Sequence, residues 1–127
     1  MLDQNFIEFG ENLIKKLDAN HVAVDAALWV YSQEEEVWNL WLSFPRLVRK
    51  GSQQAYSEVL KALLAIPGVN KEFSYYLDLV TIAKADDHLL RLIRNEFKTG
   101  KGISHIRLTD HCIKGQLVKD VLIYRLL

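Results

Sequence analysis

The stretch Val22–Phe44, VAVDAALWVYSQEEEVWNLWLSF, decides the fold of this 127-residue chain. It contains two runs rich in β-branched and aromatic residues, Val22–Tyr31 and Val37–Phe44, with a five-residue polar loop between them. Two such runs around a short polar loop are typical of a β-hairpin. We therefore predict two antiparallel strands here, as the start of a sheet.

The register of this hairpin decides which side chains face the core. If the loop closes symmetrically, Val30 faces Trp38 and Leu28 faces Leu40, so the apolar residues of both strands share one face. Because strand side chains alternate, the other face has a mixed composition. This mixed face carries Ala23, Asp25, Ala27, Trp29, Tyr31, Val37, Asn39, Trp41 and Ser43.

Hydrophobic periodicity outside this hairpin predicts three helices and three further strands. The helices are Asn5–Ala19, a segment from Ser52 to the stop at Pro67–Gly68, and a segment from Asp86 to the stop at Gly100–Gly102. The strands are Tyr75–Ala83, Ile103–Cys112 and Leu117–Arg125, with the turn Lys114–Gly115 joining the last two. The order α-β-β-α-β-α-β-β predicts an α+β fold: a single mixed β-sheet of about five strands, made of two hairpins plus one central strand, with three helices packed mainly on one face. The apolar faces predict eight core residues: Val24, Leu28, Leu40, Leu42, Leu60, Leu79, Ile93 and Leu108.

Length and composition predict a single, soluble, cytoplasmic domain over residues 1–127. The only cysteine, Cys112, cannot form an intrachain disulfide, which fits a reducing compartment. The first residues include the acids Asp3 and Glu8, unlike the basic start of a secretory signal. No stretch approaches the roughly 18 uninterrupted apolar residues of a membrane-spanning helix.

Asp25 and Asp78 are the first candidates for catalytic groups, because each interrupts a predicted strand that is otherwise apolar. A buried carboxylate must be paired or protonated, and active sites tune their acids in this way. A small hydrolase or nuclease that uses both aspartates is one functional hypothesis. The simpler alternative is that each aspartate lies at a sheet edge or accepts hydrogen bonds from neighbouring backbone N–H groups, without any catalytic role. The acid-x-lysine motif of one nuclease class is also missing, since Lys84 lies too far along the chain.

The last predicted hairpin carries the densest polar cluster of the sequence. His105, Arg107 and His111 share one face of the strand, and symmetric closure of the hairpin places Asp120 opposite Thr109. Imidazoles beside a carboxylate suit acid–base chemistry or a transition metal, so the two histidines are further catalytic candidates. They lie about 20 Å apart along a straight strand, so a shared metal is not expected.

Basic residues form two local groups, and a nucleic-acid-associated protein that uses them is a second hypothesis. The groups are Arg46, Arg49 and Lys50 after the first hairpin, and Arg91, Arg94, Lys98 and Lys101 on and after the third helix. Sixteen basic and sixteen acidic residues cancel to zero formal charge, so no overall field attracts nucleic acid. Solvated surface is the simpler interpretation of each group.

The mixed face of the first hairpin supports the leading hypothesis, a protein-binding or assembly module without an evident catalytic motif. Trp29, Trp41 and Tyr31, with Asn39 beside them, place a large aromatic area there, which is the chemistry favoured at protein interfaces. A second copy in a homodimer, or another protein, would cover this face. The helix Asn5–Ala19 is the alternative cover. No cofactor and no metal are expected, and no segment carries a motif typical of a known family.

Overall fold

The computed structural model describes residues 2–47, 52–84 and 86–127, which form four helices and one five-stranded sheet. The helices are α1 (Gln4–Ala19), α2 (Ser52–Leu64), α3 (Phe73–Asp78) and α4 (His88–Glu96), with a 3-10 turn at Asn70–Glu72. The strands are β1 (Ala26–Ser32), β2 (Val37–Ser43), β3 (Val80–Ile82), β4 (Ile106–Ile113) and β5 (Gln116–Leu126). The predicted α+β class with one mixed sheet is confirmed, with one helix more than predicted. Within the described ranges, no helix combines the length and apolar character needed to cross a membrane.

The strands lie in the order β3-β2-β1-β5-β4, with β2 and β3 parallel and the other neighbours antiparallel. β1 is therefore central, which accounts for its nearly continuous apolar run. The prediction of a central strand at Tyr75–Ala83 is wrong, because the first part forms α3 and only Val80–Ile82 pairs, at the sheet edge. The helix is favoured because it packs the Tyr76 ring against Phe9 of α1, with 4.6 Å between the ring centroids.

Helices cover both faces of the sheet. α1, α2 and α3 cover one face, hereafter the α1 side, and α4 covers the other, the α4 side. The α1-side core joins Trp29, Leu40, Leu42, Leu122 and Tyr124 of the sheet to Leu13, Ile14 and Leu17 of α1 and to Val59 and Leu63 of α2. The α4-side core joins Leu28, Leu108, Val121 and Ile123 to Leu90 and Ile93 of α4. The helices lie mainly on one face, as predicted, while the third predicted helix covers the opposite face.

The first hairpin closes one residue out of the predicted register. Trp29 pairs with Leu40 and Val30 with Asn39, because Ser32 still pairs with Val37 and the loop shortens to four residues. Glu36, the last of these four, has a left-handed φ of 56°. A one-residue slip moves every side chain of one strand to the other face relative to its partner. The predicted single mixed face is therefore wrong: Trp29 lies on the α1 side and Trp41 on the α4 side.

The prediction of core residues holds despite the error in register, because helices cover both faces of the sheet. Six of the eight predicted residues are buried: Val24, Leu28, Leu40, Leu42, Ile93 and Leu108. Leu60 and Leu79 are half-buried. A residue on either face of a central strand is thus inside, whichever register the hairpin adopts.

Two hydrogen bonds in series fix α1 to the centre of the sheet. Trp29 Nε1 donates to Tyr124 Oη at 2.9 Å, and Tyr124 Oη donates to the backbone oxygen of Ile7 at 2.7 Å. Both side chains are fully buried, so these bonds satisfy polar groups that have no access to water. Phe6 of α1 stacks on the Trp29 ring, with centroids 5.3 Å apart. The helix, rather than a second chain, covers Trp29.

Gly10 allows α1 to lie this close to the sheet. A Cβ atom at this position would lie 2.5 Å from Tyr124 Oη and 2.7 Å from Tyr124 Cε2. Both distances are well inside van der Waals contact, so a side chain here would displace the ring or the helix. Glycine at position 10 is therefore a packing requirement.

Arg125 holds the other end of α1. Its Nη1 and Nη2 donate to the two carboxylate oxygens of Asp18 at 2.9 and 2.8 Å, and Nη1 also donates to the backbone oxygen of Val24 at 3.3 Å. Arg125 is only 4% exposed, so its charge needs these partners. β5 thus holds α1 at two points, Tyr124 and Arg125.

Gly10→Ala should lower the free energy of unfolding by about 1–3 kcal/mol, the usual cost of forcing an extra methyl group into a packed core. Helix propensity works in the opposite direction, since alanine is favoured over glycine within a helix. The matched control is Gly100→Ala, where a Cβ meets no atom within 4 Å. Urea unfolding measures both variants, and a Gly10→Ala chain as stable as wild type would contradict the close contact.

Alkaline pH should destabilise the fold through Tyr124. Burial raises the pKa of the Tyr124 phenol above its ordinary value of 10.0. The unfolded chain therefore releases this proton first, and the stability present below pH 10 is lost as the pH rises further, by up to about 1.4 kcal/mol per pH unit. Tyr124→Phe should flatten this alkaline part of the stability profile, whereas Tyr75→Phe, at a residue 53% exposed, should leave it unchanged. Parallel profiles for wild type and Tyr124→Phe would contradict the assignment.

Candidate functional site

The two candidate aspartates lie on opposite sides of the sheet. Asp25 precedes β1, and its Oδ2 lies 3.7 Å from Nη2 of Arg94 on α4. Its Oδ1 is buried without a hydrogen-bond partner among the described residues. Asp78 is the exposed last residue of α3, on the α1 side. The structure does not bring the two carboxylates together, so they do not form a paired acid site.

The two candidate histidines also lie on opposite sides, and this corrects the prediction that they share a face. His105 contacts the Glu11 carboxylate of α1 through Nε2, whereas His111 Nε2 lies 3.7 Å from Glu96 on α4. Between them Asp110 has a left-handed φ of 49°, which breaks the alternation of side chains along β4. In the described part of the chain, no group of three His, Cys, Asp or Glu side chains is placed to hold a metal ion.

The four residues predicted for binding divide between the two faces. Trp29 is fully buried beneath α1, and Tyr31, two residues further along the same strand, is half-buried on the α1 side. Trp41 is half-buried against the α4-side core. Asn39 is half-buried and donates from Nδ2 to the backbone oxygen of Leu79 at 3.4 Å. Of the four, Tyr31 lies at the cleft described below.

The basic residues lie in separate surroundings. Arg46 lines a cavity of about 450 Å³ with His21 and Lys61, and the acid Glu58 is part of the same lining. Arg49 and Lys50 fall outside the described residues. Arg94 lies beside Asp25 with its side chain only 21% exposed, so it belongs to the packing of α4 rather than to an open basic surface.

The two hairpins diverge at one end of the sheet and leave a cleft, hereafter the interhairpin cleft. β1 and β5 pair as far as Val30 opposite Val121. Beyond this pair, β1 continues to Ser32 with β2 as its partner, and β5 reaches back to Gln116 with β4 as its partner. In the described chain, residues 116–120 therefore form an inner strand edge that pairs with no strand on the side of β1.

The interhairpin cleft opens into one cavity on each side of the sheet. The α4-side cavity has a volume of about 330 Å³, and its apolar lining is Val30, Leu89, Leu117, Val118 and Val121. The α1-side cavity has a volume of about 240 Å³ and is lined by Tyr31, Trp38, Thr109, Lys119 and Asp120. Tyr31, Lys119 and Asp120 line both cavities, which are thus two sides of one opening.

Arg107 contacts two residues that line the α1-side cavity, Asp120 and Trp38. Its Nε and Nη2 donate to the Asp120 carboxylate at 2.6 and 2.7 Å, and its guanidinium carbon lies 5.4 Å from the centre of the Trp38 ring. The hydrogen bonds to Asp120 raise the pKa of Arg107 above its ordinary value, so the guanidinium stays charged. Thr109, opposite Asp120 as predicted, adds a hydroxyl 3.4 Å from the same carboxylate.

Sequence reasoning missed Leu117, Lys119 and Trp38 as site residues. Leu117 is 56% exposed, more than any other large apolar side chain in the described ranges. It has no clear signal in the sequence, because Ile113 and Val118 beside the same turn are also apolar and yet buried. Trp38 was assigned to the core because the predicted register, which is one residue off, placed it opposite Val30. Lys119 carries no local signal, because the cleft arises only where β5 meets β1.

The Arg107–Asp120 pair should contribute more to stability than an ordinary surface ion pair, because its geometry is bidentate and stacked. A double-mutant cycle with Arg107→Met and Asp120→Asn should give a coupling energy of about 1 kcal/mol. The control is the pair Lys61 and Glu58, 3.7 Å apart with the lysine 68% exposed, whose cycle should give less than about 0.5 kcal/mol. Equal coupling energies for the two pairs would contradict the expected role of Arg107.

Comparison of the chain with models of known protein families, with curated proteins and with solved structures gives no significant match. A functional assignment therefore draws on the residues themselves. The interhairpin cleft is the strongest candidate for a binding site, because it joins an open strand edge to two cavities.

Proposed function

We propose that this chain is a protein-binding module whose interhairpin cleft receives an extended segment of a partner protein. The observation that carries the proposal is the inner edge of β5, where residues 116–120 pair with β4 on one side and face the cleft on the other. Alternate backbone groups of such an edge point away from the existing partner strand. An extended polypeptide supplies the matching donors and acceptors, as in other cases of strand addition.

The outer edges of the sheet are less suited to strand addition. β3 offers only the three residues Val80–Ile82. β4 is longer, but the left-handed Asp110 bends it, and kinks of this kind discourage pairing at an edge. The inner edge of β5 is therefore the better site for the addition of a partner strand. Leu117 adds exposed apolar area beside this edge.

The same arrangement offers less support for the two other hypotheses. A hydrolase built on Asp25 and Asp78 would need both carboxylates at one site, and they lie on opposite sides of the sheet. A nucleic-acid site would need a continuous basic surface, whereas Arg94 lies packed beside Asp25. A cytoplasmic location remains part of the proposal, supported by the single cysteine. A homodimer is one assembly in which such a cleft would be filled.

Selection from a displayed library of random twelve-residue peptides tests the proposal. The wild-type chain should enrich a family of related peptides. Leu117→Asp should abolish this enrichment, because it replaces an exposed apolar side chain on the open edge of β5 with a charge. Since Leu117 is 56% exposed, the substitution is expected to leave folding intact.

The matched control for this selection is Leu64→Asp on α2, which introduces the same charge at another exposed leucine, 48% exposed. It should enrich the same peptides as wild type. Circular dichroism and urea unfolding establish that both variants are folded. A wild-type chain that enriches no peptide family, or equal enrichment by the two variants, would overturn the assignment of the cleft.

A further inference from the structure

We propose that the cavity between α2 and the end of β3, hereafter the α2–β3 cavity, binds a small carboxylic acid with an apolar body. This site is separate from the interhairpin cleft and independent of the proposed function. The cleft lies where β1 ends at Ser32, whereas the α2–β3 cavity lies beyond the ends of β2 and β3. Because Ala26 pairs with Ser43 and Ser32 with Val37, these are opposite ends of the sheet.

The path of the chain from β2 to β3 creates this cavity. After β2 the chain forms α2 and α3, and it returns as β3, parallel to β2. In open sheets with this connection, ligands commonly lie outside the carboxyl ends of the parallel strands. The α2–β3 cavity has this position, because Phe44 follows β2, Ser52 begins α2 and Ala83 follows β3, and all three line it.

The wall of the α2–β3 cavity is largely apolar, and the cavity has a volume of about 330 Å³. Phe44, Ala55 and Ala83 are its buried part, whereas Tyr56 and Ile82 lie nearer the surface. Two of the buried residues are alanines, whose short side chains leave space that a longer side chain would fill. A volume of this size suits a small molecule, and burying an apolar body there would gain roughly 25 cal/mol per Å².

The polar side chains of the α2–β3 cavity favour an anionic group on the ligand. Lys84, Ser52 and Tyr56 are exposed, and each carries a hydrogen-bond donor. In the described part of the chain, Lys84 forms no ion pair, and no acid lines this cavity. A carboxylate at the opening would therefore meet an ammonium group and two hydroxyl groups, whereas a cationic group would be repelled.

Amide NMR titration with phenylbutyrate, and with the matching alcohol phenylbutanol, tests the proposal. Phenylbutyrate should cause saturable shift changes that are largest in residues 52–56 and 82–84, because these residues surround the cavity. It should bind about fivefold more tightly than phenylbutanol, the upper range for an exposed ion pair. Equal binding of the two compounds, no saturable change with either, or largest changes at the interhairpin cleft would overturn the proposal.

Lys84→Gln should remove the preference for the acid and leave the binding of phenylbutanol unchanged, because it removes the charge and keeps the apolar wall. The matched control is Lys61→Gln, which removes the same charge in another cavity, from a lysine that lies 3.7 Å from Glu58. This variant should keep the preference. An unchanged preference in Lys84→Gln, or its loss in Lys61→Gln, would overturn the role of Lys84.

Ala55→Leu tests the cavity itself, because the longer side chain would occupy the space of the ligand. Both compounds should bind at least about fivefold more weakly, since less apolar surface can be buried. Ser52→Trp, at the exposed start of α2, should have the same effect by narrowing the opening, without a change in the core. Circular dichroism and urea unfolding establish that each variant is folded.

Unweakened binding in a folded Ala55→Leu or Ser52→Trp chain would overturn the α2–β3 cavity as the site. Neither residue lines the interhairpin cleft. The peptide selection by the cleft should therefore be the same for wild type and for Ser52→Trp. Failure of this proposal and failure of the proposed function are thus measured separately.

Discussion

The hydrogen bonds that join Trp29, Tyr124 and Ile7 are the constraint on which the positions of α1, β1 and β5 depend. Trp29 and Tyr124 lie 95 residues apart in the chain, and burying either ring without a partner for its polar atom would cost about 1–3 kcal/mol. Their bond requires β1 and β5 to be neighbours, and the bond to Ile7 requires α1 to cross above them. Because α1 covers the sheet at these two rings, Tyr31 and Trp38, further along the strands, stay partly open at the cleft.

The number and kind of most elements could be predicted because their signals are local. Hydrophobic spacing and stop residues located α1, α2 and α4, and the turn at Lys114–Gly115 set the register that places Thr109 opposite Asp120. The segment at Phe73–Asp78 was misassigned because its aromatic residues suit a strand and a helix equally well until Phe9 supplies the packing partner. Predictions failed where a contact distant in sequence decided between two local choices.

The site was harder to predict than the fold, for a specific physical reason. Two single residues in the left-handed conformation, Glu36 and Asp110, each reset which side chains share a face. The first separates Trp29 from Trp41, and the second separates His105 from His111. Neither residue is a glycine, so composition does not mark these positions. The cleft itself depends on where the pairing of β1 and β5 ends, which no local pattern encodes.

The place of β5 in the sheet has a consequence for how the chain folds as it is made. Among the described elements β5 is the last to leave the ribosome, yet it lies between β1 and β4 and supplies Tyr124 and Arg125 to α1. Until it emerges, the nascent α1 and the β1–β2 hairpin have an unpaired strand edge and an indole without its acceptor. Contacts between segments this distant form slowly, and an exposed aromatic strand invites misassociation. The sheet therefore closes only after residues 116–126 are available, and until that moment the edge of β1 stays open to pairing with other chains.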